Sequence, residues 1–138
     1  MFVLRVWEYE DLGVESGEDA NWLRAEVDLA VGSYGTYRAR QWVRLYAPDL
    51  AAFAGELRSL DRDRSGKAEL RHLEDELAAT VTLDAGKGLL AGYVREHIAA
   101  KLSFRDIATD ETYVRASRKQ FDALVAAFPP RRPAKGSC

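Results

Sequence analysis

The chain has 138 residues, with 20 Lys and Arg against 22 Asp and Glu for a net charge of −2, and 47% hydrophobic residues. That is the length of one globular domain with a sizeable core and the composition of neither a disordered nor a fibrous chain. No apolar run approaches the roughly 20 residues of a membrane span, "MFVLRVWEYE" lacks the form of a secretory signal, and the lone Cys138 admits no internal disulfide, so the sequence reads as a cytoplasmic domain.

In chain order, Phe2, Leu4 and Val6 alternate with Val3, Arg5, Trp7 and Tyr9, the period of a first strand. The stretch "EYEDLGVESGED" from Glu8 to Asp19 then holds six acids and no basic residue. It is a solvated loop or a docking patch for a basic partner. "WLRAEVDLAV" alternates strictly, with Leu23, Ala25, Val27, Leu29 and Val31 on one side and Trp22, Arg24, Glu26 and Asp28 on the other. After the glycine-rich turn "GSYGT", "YRARQWVRLY" places Tyr37, Ala39, Val43 and Leu45 on one face and Arg38, Arg40, Trp42, Arg44 and Tyr46 on the other. Three strands joined by short links form an antiparallel meander.

Pro48 suits the first turn of a helix, and Leu50, Phe53, Ala54, Leu57 and Leu60 make its apolar stripe over residues 48–60. A short strand near 67–73, another over 76–83 and the turn "DAGKG" follow. "LLAGYVREHIAAKLSF" is one bent strand or two. The spacing Ser117-x-x-Gln120 predicts a capping box, ahead of a helix with Phe121, Leu124, Val125 and Phe128 on its apolar stripe and Pro129-Pro130 at its end. The resulting expectation is an α+β domain over residues 1–128, in βββα-βββα order. It has a single twisted antiparallel sheet of about six strands and both helices on one face, followed by a flexible basic tail, 129–138.

In that layout all three tryptophans fall on the uncovered side of the sheet. Trp7, Tyr9, Trp22, Arg24, Arg38, Arg40, Trp42 and Arg44 then form an open face of the residue types that dominate binding hot spots. The bland alternative is that Glu26 and Asp28 pair with Arg38 and Arg40 while arginines lie flat over the rings. The acids Glu10, Asp11, Glu15, Glu18 and Asp19 are the second candidate surface, able to imitate phosphates if the partner is a nuclease. Nucleic acid itself is a poor partner: without the tail the body carries 17 basic against 22 acidic residues, a net −5.

Other motifs are thin. Asp61, Asp63, Ser65 and Glu69 match positions of a calcium loop, but position twelve is His72 instead of a bidentate glutamate. His72 and His97 lack metal-pair spacing. Ser33, Ser65 and Ser117 have no nucleophile-elbow context, and "DAGKG" is no phosphate loop. No cofactor and no catalytic set is expected.

Several stretches together carry a likeness: a strand ending at Tyr9 before an acidic loop, then "DANWL" (19–23), "LAAFAGELRSL" (50–60), "LEDEL" (73–77) and "DETYVRASRKQFDALVAAFP" (110–129). Over most of residues 3–129 the chain resembles the WapI-type immunity proteins of bacterial contact-dependent toxin systems. The resemblance implies a non-catalytic single domain that binds and neutralises the toxic C-terminal domain of a large secreted protein. The arginine-rich strand at 37–46 and the basic tail have no place in that pattern. The competing expectations are a small-molecule or calcium-binding regulatory module, and a homodimer that buries the tryptophan face against itself.

Overall fold

Leu23, Ala25, Val27 and Leu29 are all buried, as strict alternation demands of a strand with one side on the core. The computed structural model describes residues 2–10, 18–32, 34–71, 75–96 and 99–131, with the backbone alone for Glu18 and Asp19. Strand β1 (Phe2–Tyr9), a 3-10 turn (Glu18–Asn21), β2 (Trp22–Val31) and β3 (Tyr37–Tyr46) come first. Then follow α1 (Ala47–Asp63), β4 (Gly66–Arg71), β5 (Leu77–Asp84), β6 (Lys87–Glu96), β7 (Ala100–Asp110) and α2 (Glu111–Ala127). Residues 88–96 and 100–104 therefore belong to two separate strands.

The α+β class holds, but the single wide sheet does not. The strands form two antiparallel sheets, β1-β2-β3 and β4-β5-β6-β7. Alternation fixes which side of a strand is wet, not which strand lies beside it, so one six-stranded sheet and two smaller ones satisfy the same pattern. The break lies where Tyr46 passes directly into α1, without a turn that would return the chain along β3. Where a continuing sheet would offer a ladder to β3, the side chain of Gln41 instead donates to the Arg95 carbonyl at 2.8 Å.

Both sheets turn apolar faces to one core. Leu23, Val27, Val43 and Leu45 from the first join Leu70, Leu77, Val94 and Phe104 from the second, with Leu50, Phe53, Leu57 and Leu60 of α1 and Val114 of α2. The helices meet through an edge-on Phe53–Phe121 pair at 4.9 Å and ion pairs from Arg58 to Asp122 at 3.0 Å and from Arg115 and Arg118 to Asp61 at 3.2 and 3.1 Å.

Local signals account for most boundaries. Pro48 stands in the first turn of α1, and Arg64 ends the helix in the left-handed region, its N–H donating to the Leu60 carbonyl at 2.9 Å. Ala85 and Gly86, both at positive φ, make the two-residue turn between paired Asp84 and Lys87, the conformation that matches strand twist in a hairpin. At the β2–β3 turn, Gly32 has φ 132° and any Cβ there would lie 1.9 Å from the Gly35 carbonyl oxygen.

The start of α2 departs from expectation. It begins at Glu111, six residues before Ser117, and its cap is Asp110, whose carboxylate accepts from the N–H groups of Thr112 at 2.9 Å and Tyr113 at 3.2 Å. Asp is as good a cap as Ser, and β7 delivers Asp110 in extended backbone straight to the helix, so Ser117 lies in the helix interior. Along the predicted stripe Phe121, Leu124, Val125 and Phe128 are half-buried, while Val114 is the fully buried residue of this helix.

Candidate functional site

The pairing register places the outer face of the first sheet residue by residue. Glu26 lies between Arg5 of β1 and Trp42 of β3, Asp28 between Val3 and Arg40, and Arg24 between Glu8 and Arg44. Arg38 reaches diagonally to Asp28 with two parallel bonds, Nε to Oδ1 at 3.1 Å and Nη2 to Oδ2 at 2.8 Å. Arg40 reaches diagonally to Glu26, with Nε and Nη2 both 3.1 Å from Oε1, and Arg5 approaches the same oxygen at 3.8 Å. Arg24 and Arg44 face each other as like charges, and each is answered by an acid of the first strand or its exit: Glu8 at 3.4 Å from Arg24, and Glu10 on Arg44. The Arg38 guanidinium, by hydrogen bonding first and charge second, holds the Asp28 carboxyl below the ordinary carboxylate range. The bland pairing of Glu26 and Asp28 with Arg40 and Arg38 is thus formed.

The aromatic residues are not all covered by it. Trp22 packs on Tyr46 at 5.2 Å and lies under the Arg44 guanidinium, 4.4 Å from its ring centroid. Trp7 and Trp42, however, stand 56% and 59% exposed with ring centroids 6.1 Å apart. Two large rings side by side in water are an unusual outlay of apolar surface for a side of the sheet that no helix covers. Trp42 also stands between two clefts of about 310 and 200 Å³ that share Glu76, one walled by Glu10, Arg24 and Arg44, the other by Gln41, Arg95 and Glu96.

Tyr9 does not join this face. Val6 pairs with Ala25 but Glu8 pairs with Arg24, so Trp7 is the extra residue of a β-bulge. One inserted residue reverses the parity of everything after it, and Tyr9 falls opposite Leu23 on the core side. There its ring meets Phe128 at 5.7 Å, its hydroxyl donates to the Pro129 carbonyl at 2.6 Å, and Arg131 stacks on it at 3.6 Å. Buried Asn21 completes the clasp: its side-chain oxygen accepts from the Arg131 N–H at 2.6 Å and its amide donates to the Arg131 carbonyl at 3.2 Å. The "DANWL" and "FP" stretches, more than a hundred residues apart in the chain, are therefore brought together, and their side chains hold the C-terminal end of α2 to the start of β2. No sequence periodicity announces such a contact.

Of the acidic stretch, Glu10 is drawn onto Arg44. Asp11 and Glu15 lie outside the described residues, as do the side chains of Glu18 and Asp19, and also Ser33, His72, His97 and 132–138. The calcium-loop pattern is dispersed. Asp61 and Asp63 lie in the last turn of α1, Asp61 engaged by Arg115 and Arg118 and Asp63 by Arg62 at 2.8 Å. Ser65 accepts from the Ala85 N–H at 3.1 Å, and Glu69 lies on β4 with Arg71 at 2.6 Å. Among the described residues no three His, Cys, Asp or Glu side chains are grouped to hold a metal ion. A cavity of about 390 Å³ opens between β7 and the two helices, lined by Phe53, Leu57, Ile107, Tyr113, Val114 and Phe121 among others and, among the described residues, by no charged side chain. No helix among the described residues is long and apolar enough to cross a membrane.

Residues 1–129 match the model of the immunity protein WapI-like family. The chain belongs to that family. Neither a curated protein nor a solved structure matches it. The matched region ends at Pro129, the residue whose carbonyl accepts the Tyr9 hydroxyl, so the clasp lies at the limit of the family's domain. The exposed Trp7–Trp42 pair and its arginine border lie within the same match.

Proposed function

We propose that this protein is a non-catalytic immunity protein that binds a toxin domain and blocks it, and that the outer face of β1-β2-β3 is the surface that does so. Family membership supplies the function class. The observation that carries the choice of surface is the exposed Trp7–Trp42 pair set in an ordered border of Arg5, Arg24, Arg38, Arg40 and Arg44. Exposed ion pairs contribute little to stability, so a ladder this regular does more to hold the guanidinium groups in fixed positions than to stabilise the domain. Side chains already held in place lose little freedom when a partner arrives, and tryptophan and arginine offer large, rigid contact. Trp22 and Tyr46 support that platform from beneath Arg44.

The test is functional. The tagged chain is used to capture proteins from a lysate of its source organism, the captured C-terminal domains are expressed alone, and those that arrest growth are co-expressed with the chain. The expected result is one domain whose toxicity is relieved by the wild-type chain and not by the Trp7→Ala, Trp42→Ala double variant, with both forms equally folded. Relief by the double variant at wild-type level would move the binding surface elsewhere, and the absence of any relieved domain would remove the immunity reading.

A further inference from the structure

On the outer face of the first sheet the carboxylates lie low and the guanidinium groups stand over them. The side chains of Glu26 and Asp28 are only 10% and 12% exposed, while those of Arg5, Arg38 and Arg40 that pair with them are 56–57% exposed. Arg24 and Arg44 likewise stand more exposed than their acids, Glu8 and Glu10. A guanidinium carries five N–H donors and no acceptor, and the two-point bond of Arg38 to Asp28 spends two of them. What this face presents outward is therefore a layer of arginine donors around two exposed indole rings, although the sequence counts almost as many acids as bases there.

We infer that this face recognises an acidic protein surface, read by the outward guanidinium N–H groups of Arg5, Arg24, Arg38 and Arg40 around the Trp7–Trp42 pair; that the acidic surface belongs to a toxin domain rests on the proposed immunity function. The arrangement suits carboxylates in particular, because a planar guanidinium fixed at one edge offers its other edge for two-point pairing. Charge elsewhere reinforces the choice. The body over residues 1–128 is net acidic, at −5, so an acidic partner is drawn to a face with an arginine outer layer and away from the acidic remainder, which sets orientation as well as encounter rate. A nucleic-acid strand is the weaker fit: a polyanion longer than the face runs on over the acidic body, whereas a compact carboxylate patch ends where the arginines end. Of the acidic stretch, Glu10 serves here as the clamp on Arg44.

The experiment follows the three indole N–H signals of the full chain by NMR during titration with a short oligo-glutamate, an oligo-lysine and an oligouridylate. Oligo-glutamate is expected to shift Trp7 and Trp42, with affinity falling about tenfold as salt rises to roughly 0.5 M. The Arg5→Gln, Arg24→Gln double variant, which leaves Glu26 paired with Arg40, is expected to bind it about tenfold more weakly, and a thermal melt establishes that the variant folds. A response of these indoles to oligo-lysine and not to oligo-glutamate overturns the inference, as does a response to oligouridylate alone or to none of the three. No toxin domain enters the titration. An oligo-glutamate response without growth relief thus retains the acidic-surface inference and removes the immunity reading, and growth relief without that response does the opposite.

Discussion

The two sheets share a core but differ on their outer sides. The three-stranded sheet carries all three tryptophans and the arginine ladder there. The outward residues of the four-stranded sheet include no tryptophan: Ala78, Thr80 and Thr82 of β5 stand beside Tyr93, Ala91 and Leu89 of β6. Its charged groups are spread over several strands: Glu69 takes Lys67 and Arg71 on β4, Arg95 of β6 pairs with Asp75, and Lys101 of β7 lies over the Tyr93 ring. Both inner faces need only be apolar to fold. The difference lies where folding makes no demand, and that is why it points to binding.

The shared core can be broken first. Leu50, fully buried on α1, is expected to lose about 2–5 kcal/mol on change to Ala, with both sheets unfolding in one transition; separate transitions in denaturant followed by tryptophan fluorescence and by circular dichroism would show instead that the sheets are independent units. Next in size is the contrast of outer faces. Trp7→Ala with Trp42→Ala is expected to weaken binding of the relieved toxin domain by about 2 kcal/mol or more, roughly 30-fold. Thr80→Ala with Thr82→Ala is expected to leave binding within error, as measured by calorimetry.

Much of this contrast was legible in the residues. Period-two alternation identifies the inner face of β2 correctly, Pro48 marks the first turn of α1, and the outward positions of Trp7, Trp22 and Trp42 follow from the same pattern. Three things were not legible. Pairing partners are set by how α1 leaves β3 and enters the core, which no local pattern encodes, so one sheet was expected where two exist. The bulge at Trp7 reverses Tyr9, because an inserted residue leaves no mark in the alternation itself. Asp110 starts α2 ahead of Ser117 because two plausible caps lie seven residues apart, and tertiary packing of Val114 selects the earlier one.

Smaller effects sharpen the account of what holds the binding sheet to the rest. Asn21→Ala removes both clasp bonds to Arg131 and is expected to cost about 1–2 kcal/mol, read as a lower Tm with unchanged oligo-glutamate binding. Smallest is a pH effect at Arg38, where Asp28 is faced by Arg38, Arg40 and Arg5. The folded pKa of Asp28 lies below its unfolded value of about 3.9, so the stability its pairing contributes is present above that pH and is lost as pH falls through the folded pKa. The gap in Tm between wild type and Arg38→Gln is therefore expected to be widest near neutrality and to close as pH falls below about 4; a gap constant with pH would mean that the pair does not titrate with folding.

The most direct measurement is hydroxyl-radical footprinting of the chain, free and bound to the toxin domain it relieves. The free protein should oxidise readily at Trp7, Trp42 and Tyr113, all exposed. Binding should protect Trp7 and Trp42 strongly while Tyr113, on α2, reacts as before. Protection of Tyr113 with Trp7 and Trp42 unchanged would contradict the assignment of the outer face of β1-β2-β3 as the binding surface.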